Sequence, residues 1–422
     1  MIRVAIATLG CKTNSYESAA IAAGFDPALY ELVDFEQEAD IYVVNTCTVT
    51  GRTDFKSRNL IRKALWRKQS NPSIKVVVTG CYAQRHSDQI RELGDIDLIA
   101  DNQAKQDIAL LLARPDTDFT DITTARDFRY RPVSRMPGHS RAFQKIQDGC
   151  DRRCAYCAVP YARGPARSAA FAEVLDQARR FVAAGHREIV LGGVNLGLYR
   201  DGELGLAEVA GALQQLPGLE LFRLSSMEPD CLSADLLDCL SDLDKFCPHF
   251  HIPLQSGSDS VLRRMGRPYD SADFRRLIAS VLKAFPDAAI GLDVIAGFPG
   301  ETEADFVPTL DLIKDLDIAY LHVFPFSRRP GTLAATMDKQ LPRPVKEERV
   351  RLLTSLGAAK KERYRRRLLE RAVPLRGICE KTVGGYSTFL SDHYIRGYSP
   401  EAARPGELCR LTPRVLYRDG LR

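Results

Sequence analysis

The sequence has no long apolar run. Its 422 residues are 45% hydrophobic and 27% charged, yet apolar residues nowhere continue for the roughly 18 positions that a membrane span needs. We therefore expect no membrane partner and no membrane-spanning segment. A chain of this length and composition is typical of a soluble protein with two or three domains.

Two signs of secretion are also missing. Eleven cysteines are an odd number and cannot all form disulfides. The chain opens with the strand-like run Ile2–Ala7 in place of a signal peptide. Both features predict a reducing compartment, and so a cytoplasmic protein with free thiols.

A large excess of one charge is absent as well. The net charge is only +5, which by itself says little about partners. The distribution is less even, because residues 346–371 hold ten Lys or Arg against four Glu, with Arg365, Arg366 and Arg367 consecutive. A solvated helix face and an RNA contact both remain open interpretations of this run.

Three cysteines, Cys150, Cys154 and Cys157, form the most informative motif. A [4Fe–4S] cluster in a closed electron-transfer site usually has four thiolates. Three thiolates leave one iron open, much as a catalytic zinc keeps an open position. The amine and carboxylate of S-adenosylmethionine suit such an iron, so this octet of residues 150–157 predicts a reactive cluster and not only electron storage.

A zinc knuckle is the less favoured alternative for the octet. It needs a fourth Cys or His at short range, and the next histidine is His186. We expect neither His249 nor His251 to bind a metal, because both alternate with apolar residues on one strand. Five further cysteines are predicted to be structural: Cys231, Cys239, Cys247, Cys379 and Cys409.

Residues 1–115 alternate strand-like and helix-like segments, which is typical of a parallel sheet covered by helices. We expect strands at 3–9, 41–46 and 74–79, and helices at 14–24, 53–70 and 84–93. Cys11, Cys47 and Cys81 follow the three strands, at the edge where ligands gather and where helix N-termini favour thiolates. Any one of them could be a small buried hydrophobe. Three at equivalent positions predict a second three-thiolate cluster with one open iron.

A polar linker, 116–139, begins beside Pro115 and is broken by Pro132 and Pro137. The next region, 140–345, repeats strand and helix six times, which predicts a partial TIM-type barrel with its ligands at the C-terminal strand ends. The expected strands are 143–147, 188–192, 221–225, 250–254, 290–295 and 320–324. The expected helices include 171–184, 234–243, 272–284 and 303–316.

Residues that could contact S-adenosylmethionine follow these strands. The pair Gly192 and Gly193 would let backbone approach a ligand closely, although an ordinary turn explains the pair equally well. Polar side chains there could bind an amino group or ribose hydroxyls. The predicted contacts are Tyr156, Gly192, Gly193, Asn195, Glu228, Gln255 and Ser256.

The chain ends with a basic connector, 346–367, and a region, 368–422, of short alternating segments cut by Gly and Pro. This pattern predicts a small antiparallel β-barrel with strands at 373–380, 385–390, 394–398 and 407–411. Such barrels often bind oligonucleotides, and the connector favours RNA. Five aromatic residues support that reading: Tyr386, Phe389, Tyr394, Tyr398 and Tyr417.

Along essentially its whole length the chain resembles the methylthiotransferases of the radical S-adenosylmethionine superfamily. The matching motifs are TLGCKTN at 8–14, NTC at 45–47, TGCYAQ at 79–84, QDGC-x₃-C-x₂-C at 147–157, HIPLQSGS at 251–258 and DVIAGFPGE at 293–301. The resemblance implies an auxiliary [4Fe–4S] cluster on Cys11, Cys47 and Cys81, a radical [4Fe–4S] cluster on the octet, and a C-terminal TRAM domain.

The family has branches that modify isopentenyladenosine in tRNA, an aspartate of a ribosomal protein, or N6-threonylcarbamoyladenosine at position 37 of tRNA. Segments 45–50 and 164–168 are most similar to the third branch, and the other two remain alternatives. The resemblance implies that a 5′-deoxyadenosyl radical removes hydrogen from C2 of the adenine. Sulfur then comes from the auxiliary cluster and the methyl group from a second S-adenosylmethionine.

Partners implied by the resemblance are tRNA, an electron donor such as flavodoxin or ferredoxin, and iron-sulfur assembly or sulfur-donor proteins. A reading from a different class also stays open. The chain could be a cluster-bearing RNA-binding or electron-transfer protein, which would release no 5′-deoxyadenosine.

Overall fold

The computed structural model describes residues 1–113 and 119–422. The predicted boundary beside Pro115 lies outside the described residues. The elements of the N-terminal region are β1 (Ile2–Thr8), α1 (Lys12–Ala22), β2 (Tyr30–Val33), β3 (Ile41–Thr46), α2 (Gly51–Ser70), β4 (Lys75–Gly80), α3 (Cys81–Arg85), α4 (Ser87–Arg91), β5 (Leu98–Ile99) and α5 (Ile108–Leu111).

The five N-terminal strands form one parallel sheet in the order β2-β1-β3-β4-β5. Strand β3 lies at its centre, and all six of its residues are buried. A strand covered on both faces needs a continuous apolar run, which is why Ile41–Val44 carries no polar residue. Helix α2 begins where the Thr50 hydroxyl accepts a hydrogen bond from Thr53 N at 3.2 Å.

Two details of this sheet differ from the prediction. The helix expected at 84–93 is two short helices, α3 and α4, because His86 between them has a non-helical backbone. Strands β2 and β5 were not predicted. Both are short edge strands, and β2 is polar enough to look like a loop.

The central region contains two three-stranded parallel sheets, and all six predicted strands are present. Its elements are β6 (Ala142–Lys145), β7 (Gln147–Asp148), α6 (Val159–Arg163), β8 (Arg167–Ser168), α7 (Phe171–Ala183), β9 (Glu188–Gly192), α8 (Leu206–Gln214), β10 (Leu221–Leu224), α9 (Ala234–Ser241), β11 (His249–Gln255), α10 (Asp259–Met265), α11 (Ser271–Ala284), β12 (Ala289–Ala296), α12 (Glu303–Asp315), β13 (Tyr320–Pro325) and α13 (Leu333–Thr336).

The two central sheets have the orders β10-β9-β6 and β11-β12-β13. They meet where Met227 N, just beyond β10, donates to the carbonyl of His251 on β11 at 2.9 Å. The helices cover the outer face with apolar stripes such as Val174, Ala178 and Phe181 of α7, which are all fully buried. The α/β class and the succession of parallel strands are therefore confirmed.

The C-terminal elements are α14 (Arg343–Glu370), β14 (Leu375–Val383), β15 (Tyr386–Leu390), β16 (Arg396–Ser399), β17 (Leu408–Leu411), β18 (Leu416–Tyr417) and β19 (Gly420–Leu421). The six strands form one sheet in the order β17-β14-β15-β16-β19-β18, antiparallel except between β16 and β19. The four predicted strands are present, and β18 and β19 are additional. Among the described residues, no helix is both long and apolar enough to cross a membrane.

The C-terminal sheet packs against the amino ends of the central strands. Arg376 Nη2 donates to the carbonyl of Asp244, in the turn before β11, at 2.9 Å. The Tyr364 hydroxyl of α14 donates to the carbonyl of Asp287, in the turn before β12, at 3.0 Å. This sheet therefore lies opposite the carboxyl ends, where the predicted ligand-binding residues are.

Two of the three consecutive arginines have partners inside the protein, and an RNA contact by this run stays a prediction. Arg365 donates to the carbonyl oxygens of Arg418 and Gly420 at 3.1 and 2.6 Å, and Arg367 forms an ion pair with Asp317. These side chains attach α14 to its neighbours. Only Arg366 is exposed.

Three of the aromatic residues predicted to favour RNA pack inside the protein: Phe389 and Tyr398 are buried, and Tyr394 is partly buried. Phe389 lies in the core of the C-terminal sheet. Tyr394 stacks on His249 of β11 with ring centroids 3.9 Å apart. They therefore stabilise the C-terminal domain and its contact with the central strands.

Candidate functional site

Cys11, Cys47 and Cys81 lie together at the carboxyl edge of the N-terminal sheet, as predicted. They follow β1, β3 and β4, which are adjacent strands. Gly10, with φ +104°, passes so close to Cys47 that an added Cβ would lie 2.7 Å from its Sγ. Only glycine allows this approach, so the β1 loop is shaped to bring Cys11 towards Cys47.

Two helices begin at this edge. Cys11 is the residue immediately before α1, and Cys81 is the first residue of α3. Free N–H groups at a helix N-terminus favour a thiolate. The local structure therefore suits bound, deprotonated cysteines.

The octet follows β7, and its cysteines are partly buried. Burial raises the pKa of Cys157 to about 12, and it raises the pKa of Cys47 in the other set to the same value. Such thiols stay protonated on their own, and iron must displace the proton when it binds. Cysteine ligands lose their protons in this way when they bind a metal.

The spacing of the sulfur atoms favours a cluster over a single ion. Ligands of a tetrahedral zinc lie about 3.8 Å apart, as Zn–S bonds of about 2.3 Å require. In the described part of the chain, neither set of three cysteines has all its Sγ atoms within 4.8 Å of one another. Neither set therefore has the close spacing that a single zinc ion needs.

A cavity of about 210 Å³ is lined by sequence neighbours of both cysteine sets, and we call it the central cavity. Val49 and Thr50 follow Cys47 closely, and Tyr156 precedes Cys157. Apolar side chains from β12 and β13 complete it together with a few polar groups. Its lining includes Val49, Thr50, Tyr156, Gln255, Asp293, Ile295, Phe324 and Phe326.

One buried arginine, Arg163 at the end of α6, joins the two cysteine sets. Its Nε lies 3.2 Å from Cys81 Sγ. Its Nη1 donates to Glu17 Oε1 at 2.8 Å and to Asp148 Oδ1 at 2.9 Å, and its Nη2 donates to Asn14 Oδ1 at 2.6 Å. Asp148 lies two residues before Cys150, so this guanidinium contacts the surroundings of both sets.

Arg163 belongs to a buried ionic network. Lys145 Nζ lies 2.7 Å from both Glu17 and Asp148, Arg167 lies 3.2 Å from Asp148, and Lys105 also pairs with Glu17. Burial alone would raise the pKa of Glu17, but the neighbouring cations lower it well below its usual value. Four cations face two carboxylates, so two positive charges remain beside Cys81. That excess suits an anionic iron-thiolate cluster.

A second arginine, Arg267, has the same relation to the octet. Its Nη1 lies 3.2 Å from Cys154 Sγ, and its Nε donates to the Tyr269 hydroxyl at 3.0 Å. It also forms an ion pair with Glu228. Each cysteine set thus has one buried guanidinium directed at a sulfur atom.

The predicted S-adenosylmethionine contacts do not all face one space. Tyr156 and Gln255 line the central cavity. The buried side chain of Asn195 lies beside Cys150, within reach of a hydrogen bond to its thiol. Glu228 is engaged by Arg267, as described above. Ser256 is turned towards α12, with its hydroxyl 3.3 Å from Thr309 Oγ1.

In the structure, one residue of the glycine pair makes room for a neighbouring side chain. Gly192 is the last residue of β9, and a Cβ on Gly193 would lie 2.8 Å from Gln147 Oε1. Gly193 therefore accommodates the Gln147 side chain. A ligand contact by this pair stays a prediction.

Sequence reasoning missed the arginines that hold the site together. Besides Arg163 and Arg267, Arg329 from the loop after β13 donates to Thr48 Oγ1 at 2.7 Å and pairs with Asp54. A single arginine in a loop gives no periodic signal. What these three arginines share is a buried charge, which only the structure reveals.

Family comparisons divide the chain where the fold does. Residues 3–101 match the family described as "Uncharacterized protein family UPF0004", and residues 145–313 match the radical SAM superfamily. The first range contains Cys11, Cys47 and Cys81. The second contains the octet and four of the six central strands, β9 to β12, in full.

Curated relatives extend over most of the chain. The threonylcarbamoyladenosine tRNA methylthiotransferase MtaB of Bacillus subtilis is 40% identical over 85% of this chain and 80% of its own length. The protein of the same name from Thermotoga maritima is 33% identical over 100% of this chain and 96% of its own. A tRNA-2-methylthio-N(6)-dimethylallyladenosine synthase of Cereibacter sphaeroides is 33% identical over 96% and 94%.

Solved structures share the fold. The radical S-adenosylmethionine methyltransferase TsrM of Kitasatospora setae, with cobalamin and a [4Fe-4S] cluster bound, gives a TM-score of 0.59 at 15% identity over 79% of this chain and 77% of its own. The cobalamin-dependent radical enzyme OxsB gives 0.55 at 12% identity over 82% and 56%. At these identities the likeness concerns architecture alone.

Proposed function

The chain belongs to the radical S-adenosylmethionine methylthiotransferases, and from that premise we propose that it methylthiolates C2 of N6-threonylcarbamoyladenosine at position 37 of tRNA. The central cavity, lined by neighbours of both cysteine sets, carries the proposal. Relatives named for threonylcarbamoyladenosine reach 40% identity, and those named for dimethylallyladenosine reach 36%. This difference favours the threonylcarbamoyl substrate.

The family uses two [4Fe–4S] clusters and S-adenosylmethionine. Cys150, Cys154 and Cys157 would hold one cluster, and Cys11, Cys47 and Cys81 the other. When bound, these groups supply the electron that cleaves S-adenosylmethionine and the sulfur and methyl that are transferred. The two excess positive charges around Arg163 would stabilise the auxiliary cluster.

The protein's own contribution is to hold the base in a dry space between the two sets. Tyr156, Ile295 and Phe324 give the central cavity apolar walls. Apolar walls exclude water, which protects a reactive intermediate and strengthens polar contacts inside. Asn195, buried beside Cys150, would contact S-adenosylmethionine bound next to that cysteine.

We propose that the C-terminal sheet, as a TRAM domain, binds RNA through a groove of about 610 Å³, the C-terminal groove, lined by Tyr386, Arg410, Arg414 and Arg422 among others. Arg422 donates to the Tyr386 hydroxyl at 2.7 Å and lies over its ring. Arginines beside an exposed aromatic ring suit phosphates and unstacked bases. Because this groove and the central cavity lie at opposite ends of the central strands, a stem-loop contacting both must run along the side of the protein.

Further partners follow from the chemistry. We propose a one-electron donor such as flavodoxin or ferredoxin, and iron-sulfur assembly or sulfur-donor proteins that restore the auxiliary cluster. From these partners and the tRNA we infer that the protein is cytoplasmic.

The test is an assay of the reconstituted holoenzyme without oxygen. The enzyme, dithionite and S-adenosylmethionine are incubated with anticodon stem-loops that carry threonylcarbamoyladenosine or isopentenyladenosine, and the nucleosides are analysed by mass. We expect 5′-deoxyadenosine and the 2-methylthio derivative of the first substrate. Product from isopentenyladenosine alone would favour the first alternative branch. Modification of only a ribosomal-protein aspartate would favour the second, and no 5′-deoxyadenosine would contradict an enzyme.

A further inference from the structure

Two histidines and an aspartate meet on three adjacent strands beside the central cavity. His251 of β11, Asp293 of β12 and His322 of β13 bring one nitrogen or oxygen each within 4.8 Å of the others. His322 Nδ1 lies 3.2 Å from Asp293 Oδ1, and His251 Nε2 lies 2.9 Å from the same oxygen. We call these three residues the polar triad.

The polar triad has unused hydrogen-bonding capacity. His251 Nε2 lies 2.9 Å from Asp293 Oδ1, so the free hydrogen-bonding capacity of the triad is on the other Asp293 oxygen and on His322. The Tyr320 hydroxyl, 3.1 Å from His251 Nδ1, holds the ring in place. His322 is 49% exposed, and both imidazoles approach only one of the two Asp293 oxygens. Unpaired polar atoms beside a cavity indicate a polar ligand.

The triad faces the space where the substrate base would bind. Asp293 lines the central cavity directly. Side chains two residues apart on a strand share a face, so His322 lies on the same face of β13 as Phe324, which also lines the cavity. The cavity therefore has an apolar part, from Ile295 and Phe324, and a polar end at the triad.

We propose that His251, Asp293 and His322 bind the threonylcarbamoyl group of the substrate nucleoside. This inference rests on the proposed function and adds a residue-level basis for substrate choice. The threonylcarbamoyl group carries a carboxylate, a hydroxyl and N–H groups. The imidazole N–H groups donate to the carboxylate, and Asp293 accepts from the hydroxyl or an N–H.

The same contacts disfavour an apolar substituent. An isopentenyl group has no donor or acceptor, so it would leave the buried polar atoms of the triad without partners. Leaving such atoms unpaired is costly, and sites built for a polar group reject analogues that lack it. His251 and Asp293 belong to the family motifs at 251–258 and 293–301, so within the triad the selection of threonylcarbamoyladenosine over isopentenyladenosine rests on His322.

The experiment measures the binding of three anticodon stem-loops to the holoenzyme by fluorescence anisotropy, without oxygen and with S-adenosylmethionine. The stem-loops carry threonylcarbamoyladenosine, isopentenyladenosine or unmodified adenosine at position 37. We expect His322→Phe and Asp293→Asn each to weaken binding of the first about tenfold, as for one lost hydrogen bond to a charged group. Binding of unmodified adenosine should not change.

A matched control separates this effect from a damaged cavity. Phe324→Leu alters the apolar wall and should weaken all three stem-loops alike. A stem-loop whose threonyl carboxylate is converted to an amide should bind the wild-type protein about tenfold more weakly. This ligand-side change keeps the test decisive even where a variant does not fold.

Several results would overturn the inference. One is an equal loss of affinity for modified and unmodified adenosine in both triad variants, and another is no effect of the amide. Two histidines and a carboxylate can also bind a metal ion. One metal per chain beyond the cluster iron, lost in His322→Phe, would assign the triad to that ion instead. If the wild-type enzyme makes the 2-methylthio product and the variants still bind threonylcarbamoyladenosine selectively, only this inference is removed. If the wild-type enzyme makes no such product, the proposed function is removed.

Discussion

Arg163 Nε lies 3.2 Å from Cys81 Sγ, and the same guanidinium donates to Asp148, two residues before Cys150. One buried side chain therefore contacts a cluster ligand of the N-terminal domain and the strand that leads into the octet. The separation of the two cysteine sets depends on this contact and on the ionic network around it. Hydrogen bonds to cluster sulfur atoms also adjust reduction potentials.

Replacing Arg163 by lysine should lower the midpoint potential of the auxiliary cluster. Lysine keeps the charge but is too short to donate to Cys81, and the lost N–H···S bond stabilised the more negative reduced cluster. Electron paramagnetic resonance during a redox titration measures this in protein whose Cys150, Cys154 and Cys157 are alanine. Arg167→Lys is the control, because Arg167 shares the network and pairs with Asp148. Equal shifts in both variants would show that the N–H···S bond is not the cause.

Removing one cysteine from each set should stop different steps of the reaction. Cys154→Ala should abolish cleavage of S-adenosylmethionine, because the radical cluster loses one of three anchors. Cys47→Ala should retain cleavage to 5′-deoxyadenosine and lose the methylthio product. Chromatography of both products checks this.

The control for the cysteine variants is Cys239→Ala. Cys239 lies in α9, where the structure places it outside both sets, so neither product should fall. Methylthio product from Cys47→Ala would remove the auxiliary cluster from the mechanism.

Arginines of the C-terminal groove should govern the salt dependence of tRNA binding. Arg410→Ala and Arg414→Ala should each reduce the slope of log affinity against log salt by roughly 0.7 to 0.9, the value for one lost phosphate contact. Affinities at several salt concentrations give the slope. Arg275→Ala, a loss of the same charge on α11, should leave it unchanged. Slopes that stay at the wild-type value in the groove variants would exclude RNA from this groove.

The ionised Asp293 carboxylate should make the free energy of unfolding decrease in acid. Burial alone would raise its pKa, but His251 and His322 lower it to about 2, below the value of about 3.9 in an unfolded chain. A lowered folded pKa stabilises the protein above pH 4, and the benefit is lost as the pH falls from about 4 to 2. The free energy of unfolding lost in this way is about 2 kcal/mol.

The check on Asp293 compares metal-free wild type with Asp293→Asn. The gap between their thermal midpoints should shrink as the pH falls from 5 to 2, since asparagine does not titrate. A constant gap would show that Asp293 is not held ionised by the two histidines.

The sequence was sufficient to predict the buried strands and the positions of the two cysteine sets. Parallel strands need buried apolar runs, and Ile41–Val44 is such a run, so its position and the place of Cys47 beyond it could be predicted. Edge strands such as Tyr30–Val33 lack that requirement and were missed. Helix 84–93 was predicted as one because the break at His86 comes from backbone geometry and not from Gly or Pro.

Side-chain partners were the part that could not be predicted. Arg365 and Arg367 look like an RNA contact in the sequence, yet each finds an acceptor far along the chain, at Gly420 and at Asp317. Arg163 shows the reverse case, since its role depends on Glu17, 146 positions away. Such contacts depend on how domains pack, which local pattern does not encode.

The most direct test of the account is mass analysis of tRNA nucleosides from a strain that lacks the gene. The account predicts that the 2-methylthio derivative of N6-threonylcarbamoyladenosine disappears. It should return with the wild-type gene and stay absent with the Cys154→Ala gene. Persistence of that nucleoside in the deletion strain would contradict the account.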